Sequence, residues 1–184
     1  MKDIAAALHE IVGLFGKLDV PYAVMGGFAV RVHGIPRPTH DVDFTIALER
    51  IRLPVLYEHL RELGYTVADE YNAGWVDAVA GMAIVRARLF LEGRGIDIDI
   101  FLAESPYQQQ LLVRRRSEEI DGSPVWFVSP EDLVLLKLIS YRPRDIADIA
   151  DVLFTQGQLD GSYLRKWAAA LGVSTRLDEA LAGR

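Results

Sequence analysis

The chain contains no cysteine, so disulfide bonds and thiolate metal sites are excluded. It also lacks long apolar runs. Its longest, such as Leu133–Leu136 and Val24–Val30, fall far short of the ~20 residues a membrane-spanning helix needs. No N-terminal stretch combines the charged, apolar and small-residue regions of a secretory signal. Together these absences make the cytoplasm the expected compartment, with no membrane partner. Basic residues are outnumbered: 20 Lys and Arg stand against 26 Asp and Glu, for a formal net charge of −6. That balance argues against a general nucleic-acid binder, which needs clustered cations for phosphate contacts. The one basic cluster is Arg114-Arg115-Arg116. What is present is ordinary globular material: 184 residues, 51% hydrophobic and 25% charged, enough for one domain with a proper core.

Periodicity gives the order of elements. Ile4, Leu8, Ile11 and Leu14 predict an amphipathic helix over 3–17. Tyr22–Met25 reads as a short buried strand, broken by Gly26-Gly27, with a short helix over Phe28–His33 and a proline-bearing loop over Gly34–Thr39. Asp41–Ala47 alternates, placing Val42, Phe44 and Ile46 on one face and Asp41, Asp43 and Thr45 on the other. A helix starts near Pro54, carries Leu56, Leu60 and Leu63, and is capped by Gly64. Tyr65–Ala68 reads as a strand and Glu70–Gly81 as loop-rich; Met82–Glu92 and Gly95–Leu102 read as strands around a turn at Glu92-Gly93-Arg94-Gly95. Next come a helix over Pro106–Val113 and a hairpin of Ser117–Ile120 and Val125–Val128 turning at Asp121-Gly122-Ser123. Ser129-Pro130-Glu131-Asp132 starts a helix, with Ser as N-cap, Pro at the first position and acids in the first turn. The remainder is helical, interrupted at Pro143. The expected class is α+β: one domain, with a core over about 20–128 and a helical C-terminal part over about 129–184.

The chemistry concentrates in Gly26-Gly27-Phe28-Ala29 and Arg37-Pro38-Thr39-His40-Asp41-Val42-Asp43. Two glycines after a strand let backbone amides approach a ligand, and the helix they start adds a positive end, a phosphate cradle. Asp41 and Asp43 share one strand face, and paired carboxylates repel unless a cation lies between them. Mg²⁺, or Mn²⁺ in its place, suits such a pair because it is held by a few carboxylates plus phosphate oxygens. Alone, Gly-Gly is a turn and Asp-x-Asp a solvated strand face; the combination, about fifteen residues apart, is far more specific.

These residues resemble the signature of the polymerase-beta-type nucleotidyltransferases, and within them the small bacterial branch of AbiEii-type toxin nucleotidyltransferases. A second block, Ser129-Pro130-Glu131-Asp132-Leu133, then Lys137, then Arg142-Pro143-Arg144-Asp145-Ile146-Ala147-Asp148, is similar to the C-terminal motif of that branch. The resemblance covers residues from about 22 to 152 and implies a mixed sheet flanked by helices. It implies an enzyme that moves a nucleotide from a nucleoside triphosphate to a hydroxyl of RNA, protein or a small molecule. A toxin-like role with an antitoxin partner is implied too.

The resemblance also implies a third acid on a neighbouring strand, completing the metal site or acting as base. Ile96-Asp97-Ile98-Asp99-Ile100 supplies two acids on one face; the spacing to Ser105-Pro106-Tyr107 resembles the family better from Asp99, leaving Asp97 beside it. The expected catalytic and metal-holding set is Asp41, Asp43 and Asp99. The expected nucleotide-binding set is Gly26, Gly27, Arg37 and Lys137, with Lys137 meeting a β- or γ-phosphate. Arg37 reads equally as a phosphate ligand or a solvated loop residue. Arg144 and Asp148, four apart on a helix, are placed to pair; Arg144, Asp145 and Asp148 read either as bracing Lys137 or the metal acids or as tying helices together, and a structural role is expected of all three. His33 and His40 are expected in loops, since two histidines alone make a poor zinc site. Trp75, Trp126 and Trp167 are expected in the core or an interface.

Overall fold

A computed structural model of the chain describes residues 3–91 and 94–183. The chain opens with α1 (Ile4–Lys17), whose N-cap Asp3 accepts a hydrogen bond from the Ala6 amide at 2.9 Å and whose Leu8, Ile11, Leu14 and Phe15 are buried. Gly13 is exposed within this helix, and a Cβ there would meet nothing within 4 Å. Gly13→Ala is therefore expected to raise stability by about 0.5–1 kcal/mol, read as a rise in melting temperature.

Next come β1 (Tyr22–Met25), α2 (Gly26–His33), β2 (Asp41–Ile46), α3 (Leu53–Glu62) and β3 (Thr66–Val67). Helix α2 starts at Gly26, two residues earlier than the sequence suggests. The segment expected to be loop-rich holds α4 (Asp69–Asn72) and the short strand β4 (Asp77–Val79). These elements are too short to leave a periodic signal. They are followed by β5 (Met82–Leu91), β6 (Arg94–Leu102), α5 (Pro106–Val113), β7 (Arg116–Ile120) and β8 (Ser123–Phe127). The Glu92-Gly93 part of the expected turn lies outside the described residues. The β7–β8 turn has positive φ at both Asp121 (49°) and Gly122 (77°), the turn an Asp-Gly pair favours.

The strands form one mixed sheet in the order β3-β5-β6-β2-β1-β8-β7, with β4 paired to β5. β2 lies between antiparallel β1 and parallel β6, so it has no free edge. One face of its alternation, Val42, Phe44 and Ile46, is fully buried with Ile98 and Ile100 of β6. The other face carries the acids.

Four helices complete the described chain: α6 (Pro130–Ser140), α7 (Pro143–Gln156), α8 (Gly161–Ala170) and α9 (Ser174–Ala182). Helix α6 is buried from Pro130 to Leu138, charged residues included, as expected of a helix covered on all sides. It ends at Tyr141, which takes a left-handed conformation (φ 47°), and α7 then starts at Pro143. The Tyr163 hydroxyl of α8 donates to Asp132 of α6 at 2.7 Å.

Three side-chain expectations need correction. His33 is no loop residue: it ends α2, is buried, and its Nε2 lies 2.8 Å from the Val128 carbonyl oxygen. Of the two places expected for Trp75 and Trp126, the core does not hold: both are exposed, Trp75 at 54%. The Arg144–Asp148 pair does not form, because Asp148 is buried and turned toward other cations.

Candidate active site

The sheet register builds the site. Across parallel β2 and β6, Asp43 faces Asp99 and Asp41 faces Asp97; across antiparallel β6 and β5, Asp99 faces Arg86 and Asp97 faces Arg88. All six side chains therefore belong to one sheet face. Arg86 grips Asp99 with both ends of its fork, Nε to Oδ1 at 2.7 Å and Nη2 to Oδ2 at 2.9 Å. Arg88 grips Asp97 in the same way. Asp41 accepts a hydrogen bond from the Thr39 hydroxyl at 2.8 Å.

Asp43 differs from the other three. Among the described residues no group donates a hydrogen bond to its carboxylate. Burial, and then the charges of Asp41 and Asp99, push its pKa up to about 7, against the opposing pull of Lys137 and Arg142. A crowded carboxylate without a donor is a site that a cation would relieve. Asp41 and Asp43 fit Mg²⁺, which takes one or two protein carboxylates and fills its shell with water and phosphate oxygens. Asp99 is brought to the same face but is held by Arg86, and among the described residues no three Asp, Glu or His side chains form a ready metal cage.

The two glycines make room for these side chains. Gly26 has φ 62°, and a Cβ there would lie 1.8 Å from Asp43 Oδ2. A Cβ on Gly27 would lie 2.5 Å from Thr39 Oγ1. Gly26→Ala should cost about 1–2 kcal/mol from the left-handed backbone alone, and displace Asp43 as well. A urea midpoint unchanged from wild type would contradict this.

Behind the acids lies a chain of ion pairs. Arg37 donates through Nε and Nη2 to Asp148 at 2.7 and 2.8 Å. Lys137 Nζ bridges Asp148 at 2.7 Å and Asp145 at 2.8 Å. Arg142 Nε reaches Asp145 at 2.8 Å. Lys137, Asp145 and Asp148 are almost wholly buried. Burial would raise the Asp145 pKa, but its hydrogen bonds from Arg142 and Lys137 hold it well below the usual carboxylate range. The network ties the 34–39 loop to α6 and α7. Arg37 and Lys137 both line the cleft, yet their charges are already engaged by protein acids.

The cleft itself has a volume of about 680 Å³, within the roughly 300–1,000 Å³ of small-ligand sites. Gly26, Gly27, Asp41, Asp43 and Asp99 line one side; Lys137, Ser140, Arg142 and Arg144 line another; Val79, Ala80, Met82 and Phe101 add an apolar wall.

Solved structures share this arrangement of elements. An antigenic nucleotidyltransferase-like protein from Paracoccidioides brasiliensis is 20% identical, with a TM-score of 0.57 over 97% of this chain and 91% of that one. ANT(2″)-Ia, solved in complex with adenylyl-2″-tobramycin, is 18% identical, with a TM-score of 0.59 over 91% of this chain and 95% of its own. The fold is that of the nucleotidyltransferases. In sequence, residues 96–180, a little under half of the chain, match a family described as "Nucleotidyltransferase of unknown function (DUF6036)". No curated protein matches the chain. The nucleotidyltransferase resemblance read from the Gly-Gly and Asp-x-Asp motifs thus agrees with the fold. Neither the family match nor these neighbours extend to the AbiEii-type toxin branch.

Sequence reasoning missed Arg86 and Arg88, and left Arg142 without a role. A signal for the first two existed. Arg-Ala-Arg at 86–88 and Asp-Ile-Asp at 97–99 are opposite charges on successive antiparallel strands, in register to pair.

Proposed function

We propose that the protein is a nucleotidyltransferase that uses Mg²⁺, or Mn²⁺, to move a nucleotide from a nucleoside triphosphate to a hydroxyl acceptor. The observation that carries this reading is the Asp43 carboxylate, without a hydrogen-bond donor among the described residues, beside Asp41 in a cleft whose other rim is cationic. Asp41 and Asp43 hold the metal, and Thr39 fixes the orientation of Asp41. When bound, the metal neutralises charge on the triphosphate and lowers the pKa of a coordinated hydroxyl. Gly26 and Gly27 let the start of α2 come close to the acids. Asp99, steadied by Arg86, is the third acid, on the same sheet face as Asp41 and Asp43. Catalysis by such a site rests on positioning and charge neutralisation.

The acceptor is proposed to be a small molecule rather than RNA or protein. The cluster Arg114-Arg115-Arg116 does not form an open strip for a phosphate backbone. Arg114 binds Glu131 at 3.1 Å and stacks 3.8 Å from the Tyr163 ring centroid, and Arg115 stacks on Trp126. The structure of ANT(2″)-Ia with an adenylylated small molecule, tobramycin, is consistent with that choice. A toxin-like role with an antitoxin stays an implication of the sequence resemblance alone. Among the described residues no helix is long and apolar enough to cross a membrane. One observation favours a second reading, a nucleotide-binding protein without transfer activity: Asp99 has both oxygens engaged by Arg86.

Label transfer separates the two. The protein is incubated with each α-labelled triphosphate, Mg²⁺ and representative RNA, protein and small-molecule hydroxyl acceptors. Transfer and pyrophosphate release should appear, disappear with a chelator and return with Mg²⁺ or Mn²⁺. Thermal stabilisation by MgATP without any transfer would support the second reading; neither effect would overturn both.

A further inference from the structure

The cations that the sequence singles out for phosphate are turned inward, and two others take the open rim of the cleft. The Lys137 side chain is 6% exposed and lies between two carboxylates, whereas Arg142 is 71% exposed. Arg142 uses Nε and Nη2 on Asp145, which leaves Nη1 without a partner among the described residues. Arg144 lines the same cleft, is exposed, and makes no ion pair or hydrogen bond among the described residues. The nearest acid along its own helix is Asp148, one turn ahead, and this would ordinarily pair with it. Asp148 is instead engaged by Arg37 and Lys137. The inner network thus removes the local partner that would have neutralised Arg144.

The charge balance points the same way. Arg37, Lys137 and Arg142 make their ion pairs with Asp145 and Asp148, three cations on two carboxylates, and Arg144 adds a fourth cation. On the opposite side Asp41 and Asp43 are two carboxylates without an ion-pair partner among the described residues, while Asp99 is balanced by Arg86. A cleft with excess positive charge at one side and two unpaired carboxylates at the other matches a polyphosphate carrying a divalent cation. Arginine is suited to the first part because its planar fork binds two phosphate oxygens at once.

We propose that Arg142 and Arg144 grip the β- and γ-phosphates of the triphosphate, and that Lys137 acts from behind as a positioning residue that sets Arg142 through Asp145. This rests on the nucleotidyl-transfer reading and assigns its phosphate-binding side to residues other than Arg37 and Lys137. It follows that the protein selects triphosphates over monophosphates through Arg144.

Calorimetric titration tests this without turnover. The probes are α,β-methylene triphosphates of the four common bases with Mg²⁺, and the matching nucleoside monophosphates. Arg144→Ala should weaken triphosphate binding by roughly tenfold to a hundredfold, the loss of charge-assisted hydrogen bonds to an anion. Monophosphate binding should change by less than about twofold, and the melting temperature should not move, since Arg144 has no ion-pair or hydrogen-bond partner among the described residues. Arg144→Lys should recover part of the loss and Arg144→Glu should deepen it. Triphosphate affinity unchanged in both Arg144→Ala and Arg144→Glu would overturn the assignment while leaving the transfer reading intact. An equal loss for monophosphate and triphosphate would do the same. If the wild-type protein binds no triphosphate at all, the transfer reading falls and this inference falls with it.

Discussion

Asp43→Asn should abolish nucleotidyl transfer and, at the same time, raise the stability of the metal-free protein. Both effects follow from the same crowding. Burial first, and then the neighbouring charges of Asp41 and Asp99, raise the pKa of the Asp43 carboxylate from 3.8 to about 7, and it receives no hydrogen bond among the described residues. A carboxyl group whose pKa is higher in the folded state binds more protons there than in the unfolded chain. Stability therefore falls as pH rises from about 4 to about 7, and the full penalty is present above pH 7. A shift of this size corresponds to an effect on the order of 4 kcal/mol. Asparagine carries no charge to repel, so the gain should be largest near pH 8 and vanish near pH 4. Mg²⁺ should stabilise the wild-type protein and leave the variant unchanged. Transfer should drop by about a thousandfold or more, since the metal's contribution to charge stabilisation is worth several kcal/mol. Melting curves at pH 5 and pH 8, in chelator and in Mg²⁺, read out both parts. A variant that melts below wild type at pH 8 in chelator would show that the carboxylate is a structural anchor. Transfer that survives an Asp41→Ala/Asp43→Ala double change would remove these acids from the mechanism.

Much of this site can be read from the chain because its parts are local. Asp41-Val42-Asp43 on an alternating strand fixes two carboxylates to one face before any tertiary contact is known. Ser129-Pro130 fixes the start of α6 and Pro143 that of α7. The elements missed were those that local pattern does not specify. β4 has three residues and α4 four, so neither repeats its period. Lys137 reads as a phosphate ligand because it is a compact cation within the second motif. Its two acid partners lie on the next helix, and their approach depends on the turn at Tyr141. The glycines were read as a ligand cradle, whereas the tightest contacts a Cβ would make at them are with the protein's own Asp43 and Thr39. In each case the contact comes from a segment further along the chain: Asp43 from β2, Thr39 from the loop before it, and Asp145 and Asp148, which the sequence already offers as a brace for Lys137, from α7.

The largest loss of stability is expected from Lys137→Ala. Removing the lysine leaves Asp145 and Asp148 buried with one cation fewer, and breaking one side of a buried ion pair costs about 3–5 kcal/mol. Arg142 remains on Asp145 and Arg37 on Asp148, so the lower end of that range is expected. The urea midpoint should fall with little change in slope. Because Lys137 and Asp145 act on each other directly, the Lys137→Ala/Asp145→Ala double variant should lose less than the two single changes added together. Lys137→Met with Asp145→Asn and Asp148→Asn removes the buried charges as a set and should be far milder than Lys137→Ala. The site should feel the same changes through a different route. Arg37 is anchored by this network and stands two residues before Thr39, which orients Asp41. Loosening the network should therefore weaken Mg²⁺ binding at Asp41 and Asp43, even in the triple variant whose stability is largely kept. Calorimetric titration of Mg²⁺ against that variant decides the matter. Metal affinity equal to wild type would mean that the ion pairs hold the helices together and do nothing for the carboxylates.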